Sequence, residues 1–448
     1  YRKQTINASK LDCWEGILVT DKAISRALDL VNSQSSEMLD ILSRLIALDT
    51  SFPPGKGYGP WADALEKILT PMGFVCDRVL VPEELWKNAG VEGERINLIA
   101  RRGTTGNPLS IYFHSDTVPA GEGWSKPSHQ LTCEGENLYG RGTADMKGTI
   151  AAVIGAIEAM DAANVEYAYD PVLLFCTDEE GGKYPGVRYL AEQNRIEGHL
   201  LCLNGQALAR IWAGCFGSLD LRLRFKGRAA HSAEGQNGVN AIEESIPVLN
   251  ALIQLKETIE TRTWSMPPSP TSLGQPLASK MTISAAHGGT KGSALPALFE
   301  VIINRRYAPE EQIDSVVQEI RDAIESTVSE TRILDWDIEE IGHLMPVADP
   351  GGEQHWPRWI KALSQGFDWL ETDFKTWGAV SSSDMGWVQK MGIQEILLSG
   401  LSRPDRNIHA ADEYTTKSDL LGLSRSIVHY LSQDFESENT SKTKTHNQ

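Results

Sequence analysis

Residues 108–116, PLSIYFHSD, and residues 171–180, PVLLFCTDEE, are short apolar runs that stop abruptly at side chains able to do chemistry. An apolar run of this length, bounded by polar residues, reads as a strand buried on both faces. Between them, residues 146–163, MKGTIAAVIGAIEAMDAA, are small, apolar and free of proline, which reads as a closely packed helix. Strand, helix, strand predicts an α/β fold with a mixed, mainly parallel sheet flanked by helices. Ligands collect where the strands of such sheets end, so His114, Asp116, Glu179 and Glu180 stand where a site is expected.

Working outward, residues 36–50, SEMLDILSRLIALDT, carry an apolar face at helical spacing, and residues 51–60, SFPPGKGYGP, read as a loop. After about residue 213 the pattern changes. SLDLRLRFKG (218–227) alternates apolar and polar positions like a half-exposed antiparallel strand, and NAIEESIPVLNALIQL (240–255) follows as a helix. MTISAAHGG (281–289) and ALFEVIINRRY (297–307) read as further strands, and residues 310–328 as an amphipathic helix. The expected organisation is a larger α/β domain in two parts, 1–212 and 332–436, interrupted by an inserted α+β domain at 213–331, which the resemblance given below makes the lid or dimerisation domain of a catalytic one. Residues 437–448 read as a polar, disordered tail.

The bulk numbers narrow the partners. The 448 residues exceed the usual size of one core, and 41% hydrophobic with 23% charged residues is ordinary for a globular chain. A net charge of -18 disfavours nucleic acid and anionic membranes, so neither is expected as a partner. The six cysteines form no CxxC pair, and no apolar run reaches the roughly 20 residues that span a bilayer. The N-terminal stretch YRKQTINASKLDCWEG lacks the apolar core of a signal peptide, so a cytoplasmic location is expected, with a leader removed before Tyr1 left open.

Four segments carry imidazole or carboxylate groups beside an apolar run or glycine-rich turn: His114 and Asp116, Asp145 in GRGTADMKG, Glu179 and Glu180, and His409 in NIHAADEY. Mixed imidazole and carboxylate donors suit zinc or a related divalent ion, with cobalt or manganese as substitutes, better than magnesium or calcium. Such an ion lowers the pKa of bound water from about 15.7 to roughly 7. A base must still take the proton, and adjacent glutamates can divide the labour, one ligating while the other stays free. Taken singly, each segment reads as a solvated loop.

In this order the segments resemble the zinc-dependent aminoacylase and carboxypeptidase G metallopeptidase family, which includes acetylornithine deacetylase and succinyl-diaminopimelate desuccinylase. The marks are HSDTVPAGEGW (114–124), LYGRGTADMKG (138–148), DEEGG (178–182), GRAAHSAEGQNGVNAIE (227–243) and HAADEY (409–414), and the resemblance covers nearly all of the chain beyond residue 36. It implies that His114, Asp145, Glu180 and His409 ligate one or two zinc ions, Asp145 bridging, and that the Asp116 carboxylate orients the His114 ring. Glu179 is implied to be the general base acting on metal-bound water. His231 is implied to stabilise the oxyanion, in many relatives from a partner subunit, which makes a homodimer through the inserted domain the expectation. Arg306, with Arg305 as the adjacent alternative, falls where relatives hold the substrate carboxylate, and Asn240 and Ser293 fall on the substrate-facing side.

The sequence also departs from the pattern. Relatives supply a further Asp or Glu ligand at the end of the strand that follows the glutamate pair. Here HLLCLNGQALARIWAGCFG (199–217) has no carboxylate, and the position holds Asn204, or Gln206 if the alignment slips by two. An amide oxygen is a neutral, weaker ligand. Ser293 and Asn304 replace the Asn and Asp of relatives. The implied function is a metal-dependent amidohydrolase acting on a small N-acyl amino acid or peptide-like substrate. The alternative is a metal-poor relative recruited for substrate binding or for another transformation in a biosynthetic pathway.

Overall fold

The structure, a computed structural model, describes residues 22–103, 105–350 and 354–432. Cys13 and the expected disordered tail lie outside the described residues. Contacts within the chain separate two units: Trp212–Pro350 with Thr376–Gly392 form one, and the remaining described residues the other. The sequence boundary of the insertion was 213–331. The difference arises because strand Asp335–Leu344 pairs antiparallel with strand Gly217–Lys226, so its backbone hydrogen bonds belong to the inserted sheet. A register shift between Glu340 and Gly342 interrupts the period-2 pattern that would have identified it.

The first unit is built on a six-stranded sheet in the order Val75–Leu80, Ile96–Arg101, Asp170–Cys176, Pro108–His114, His199–Cys202, Ile396–Leu398. The last four run parallel, and only Ile96–Arg101 runs against the rest. Crossovers between parallel strands lay helices on the faces of the sheet, which explains why both apolar runs are buried almost throughout. Helix Lys147–Ala163 packs with helices Ser35–Ile46 and Lys417–Ser432, and Ile150, Val153, Ile154, Ile157 and Met160 are fully buried. A small antiparallel sheet, Thr132–Glu134, Asn137–Tyr139 and Tyr414–Thr416, joins two distant segments: Tyr414 pairs with Tyr139. That pairing sets the His409 loop beside the turn that carries Asp145.

The inserted unit holds a four-stranded antiparallel sheet, Lys280–Gly288, Leu298–Tyr307, Gly217–Lys226 and Asp335–Leu344. Leu219, Leu221, Leu223, Phe225, Val301 and Ile303 point into a core shared with helices Ala241–Ile259 and Ile313–Val328. The other face carries Arg222, Arg224, Glu300, Asp337 and Glu339 in cross-strand ion pairs. No helix among the described residues is long and apolar enough to cross a membrane.

One core feature predicts acid sensitivity. His199 opens its strand with its ring stacked 3.7 Å from that of His355 and its Nε2 2.6 Å from the Tyr430 hydroxyl. Burial, with His355 and Arg358 adding, pushes its pKa far below the usual imidazole range, and burial takes His429 down to about 4. Both rings stay neutral in the fold but take protons near pH 6.5 when unfolded. Their stabilisation is therefore complete above pH 6.5 and declines below it, by about 1.4 kcal/mol per pH unit for each extra proton bound on unfolding. Thermal melts between pH 8 and 5 are expected to fall below about pH 6.5, and His199→Gln to flatten that slope. A parent melting temperature constant down to pH 5 would contradict this account.

Candidate metal centre

The four parallel strands deliver their C-terminal ends to one edge of the sheet. His114 is the last residue of its strand, Glu179 and Glu180 follow Asp170–Cys176, and Asn204 follows His199–Cys202. Asp145 lies in the turn before helix Lys147–Ala163. One ligand atom each from His114, Asp145 and Glu180 lies within 4.8 Å of the others. His114 Nε2 is 2.9 Å from Asp145 Oδ1, and His409 Nε2 is 3.3 Å from Asp145 Oδ2 and 2.9 Å from Glu180 Oε2. Asp145 thus offers one oxygen to each imidazole.

The electrostatics fit a cation. For His114, burial opposes the charged ring but the bond to Asp145 outweighs it, so its pKa is raised. His409 is pushed up to about 10 by Asp145 and then Glu180. Asp145, despite burial, is held below the carboxylate range by the same two imidazoles. The carboxylates therefore draw positive charge into the cluster, and a divalent ion would take over the role of those imidazole protons. His114 Nδ1 lies 2.9 Å from the Asp116 carbonyl oxygen, an acceptor only, so Nδ1 carries the hydrogen and Nε2 faces Asp145.

That contact corrects one expectation. The Asp116 carboxylate, assigned to orient the ring, stands 3.8 Å from Nδ1, and its Oδ2 instead accepts the Glu180 backbone N–H at 2.9 Å. It ties the His114 strand end to the glutamate loop. Burial pushes its carboxyl up to about 7, with His114 opposing and Asp178 and Glu180 adding.

Two supporting groups went unassigned in the sequence. Glu413, four residues after His409, accepts the N–H groups of Gly142, Ala144 and Asp145 at 3.0–3.1 Å and pairs with Arg141 at 2.7 Å. One buried carboxylate so fixes the Asp145 turn from the segment that carries His409. Gly142 belongs to this cradle by necessity, because at φ 90° a Cβ would come 3.0 Å from the Lys147 side chain. Asp178 is the second. Its carboxylate accepts from Tyr58 Oη at 2.7 Å and from Arg95 Nε at 2.7 Å, and Arg95 stacks 4.3 Å from the Trp86 ring centroid while donating to Glu92 and Pro54 carbonyls. The signal was present in DEEGG and HAADEY, but sequence does not say which carboxylate turns inward.

Glu179 is half-buried beside the cluster, and Asn204 Nδ2 donates to its Oε1 at 2.8 Å. Gln206, two residues on, pairs through its main chain with Ser402. Within the inserted unit, His231 Nδ1 accepts from Ala233 N–H, and the His231 segment pairs with Ala294, next to Ser293. Asn240 is the cap of helix Ala241–Ile259, its Oδ1 accepting from Ile242 and Glu243, so that oxygen is already committed. Arg305 is fully buried and paired with Glu311 and Glu319, which removes it as a substrate partner. Arg306 is half-buried and reaches Asn304 and Ser382.

Comparison with known proteins identifies the family. Residues 110–433 match peptidase family M20/M25/M40. The succinyl-diaminopimelate desuccinylase of Delftia acidovorans is 30% identical over 400 residues, covering 86% of this chain and 95% of the relative. The dipeptidase Dug1p of Saccharomyces cerevisiae superposes with a TM-score of 0.71 at 15% identity, over 91% of this chain and 98% of that one. The YXEP protein of Bacillus subtilis, described as a dinuclear metal binding peptidase, gives 0.57 at 13% identity, over 89% and 98%.

Proposed function

The chain belongs to peptidase family M20/M25/M40, and from that premise we propose that it hydrolyses the amide bond of an N-acyl amino acid, with an N-succinyl amino acid as the first substrate to try. The carrying observation is that His114, Asp145, Glu180 and His409 converge while Glu179 stands beside them, engaged by Asn204 and outside that set. In this reading those four residues hold a divalent ion, zinc first, which when bound polarises the scissile carbonyl and acidifies water. Glu179 takes the proton from water as its oxygen adds to the carbonyl carbon. It returns that proton to the amine nitrogen as the C–N bond breaks, leaving a free acid and a free amine. On the inserted unit the reading keeps His231 as oxyanion stabiliser, Arg306 as partner of a substrate carboxylate, and Asn240 and Ser293 as substrate contacts. A homodimer through that unit and a cytoplasmic location complete it.

The test is release of primary amine from a panel of N-succinyl and N-acetyl amino acids and dipeptides. Turnover is expected with at least one class, to be lost on chelation and to return with zinc, cobalt or manganese. No amine from any member of the panel at any metal loading would favour the alternative, a binding protein or a catalyst of another transformation, which the neutral Asn204 motivates.

A further inference from the structure

At the end of strand His199–Cys202 the chain presents an amide where a charged ligand would serve a second ion, and the amide is turned toward Glu179. The backbone around Asn204 is held in place. Its loop is pinned to the segment after Ile396–Leu398: Ser402 N–H donates to Gly205 O at 3.2 Å and Ala207 N–H to Ser402 O at 2.9 Å. The approach is so close that a Cβ on Gly400 would meet Gly205 O at 2.2 Å.

Charge then decides how many ions the pocket can hold. Asp145 and Glu180 together neutralise one divalent ion, with His114 and His409 as neutral donors. A second ion on the His114 side would share Asp145 and find no carboxylate of its own except Glu179, the base. Between Glu197 and Asp220 there is no Asp or Glu, and Asn204 is uncharged. Placing two further positive charges beside His114 with Glu179, the base, as the carboxylate left to ligate them is unfavourable. Building on the metal-centre reading above, we infer that this centre is mononuclear, and that Asn204 both makes it so and serves as a positioning residue that holds Glu179 out of the ligand set. In this it differs from the dinuclear B. subtilis relative.

The experiment is metal content per chain, by elemental analysis of the full chain dialysed against micromolar zinc, together with the spectrum of the cobalt-loaded protein. The parent is expected to hold one ion and to show uncoupled cobalt. Asn204→Asp, or Asn204→Glu with its longer reach, is expected to hold two, with a spin-coupled cobalt pair. Asn204→Leu is expected to keep one. Two tightly held ions in the parent would overturn the proposal while leaving the centre intact, and so would a single ion in both carboxylate variants. Loss of the ion in Asn204→Leu would show the amide to be a ligand and overturn the positioning role. No ion in the parent, with Glu180→Gln and His409→Ala equally empty, would overturn the metal-centre reading itself and this inference with it.

Discussion

Glu179→Gln is expected to lower kcat for amide hydrolysis by about 10³-fold, on the order of 4 kcal/mol in the barrier, with metal content and melting temperature unchanged. The substitution keeps an oxygen that can accept from Asn204 Nδ2, 2.8 Å away in the parent. It removes only the capacity to carry a proton between water and the leaving nitrogen. Glu180→Gln is the contrast: Glu180 lies 2.9 Å from His409 and belongs to the converging set, so its loss is expected to reduce activity through lost metal. The pair of variants separates base from ligand, provided metal is measured beside turnover. Should Glu179→Gln turn over like the parent, or lose its metal as Glu180→Gln does, the division of labour proposed for the two glutamates is wrong.

Arg95→Met is expected to destabilise the protein by about 3–5 kcal/mol, the usual cost of stranding one member of a buried ion pair. The side chains of Arg95 and Asp178 are 0% and 1% exposed, and their Nε to Oδ2 distance is 2.7 Å. Without the guanidinium, Asp178 keeps the neutral Tyr58 hydroxyl as a side-chain donor among the described residues. Its backbone sits at φ 62°, a left-handed conformation that a non-glycine residue holds only under outside constraint. Because Glu179 is the next residue, kcat is expected to fall with stability even at temperatures where Arg95→Met remains folded. Asp178→Leu in the Arg95→Met background is expected to recover part of the stability but not the activity, since it removes the stranded charge and not the disorder of the loop. Urea titration of the three variants measures the first claim and a kcat to KM comparison the second. A single-variant loss within about 1 kcal/mol of the parent would mean that the clamp carries little.

The elements legible in the sequence were those whose pattern matches one local period. Pro108–His114 and Asp170–Cys176 were readable because parallel strands buried on both faces become continuous apolar runs. The strand Gly217–Lys226 was readable because one face is core and the other carries charge. Strand Asp335–Leu344 escaped assignment to the insertion because its alternation breaks at Glu340 and Gly342, and its partner lies more than a hundred residues away in sequence. His114, Asp145, Glu180 and His409 were recognisable by residue type at the ends of apolar runs or in glycine-rich turns. Glu413, Arg95 and Tyr58 carry no such mark.

By itself the sequence determined the α/β class, the change of pattern after about residue 213, the pool of imidazole and carboxylate donors, and the absence of any Asp or Glu between Glu197 and Asp220. Those are properties of composition and local period, and a short-range pattern suffices to express them. Only the tertiary structure decided that the carbonyl of Asp116, and not its carboxylate, holds His114; that Arg305 belongs to the core; and that Asn204 faces Glu179. Each of these depends on which side chain turns inward between segments distant in the chain, and that choice is made by burial and hydrogen-bond satisfaction across the whole fold.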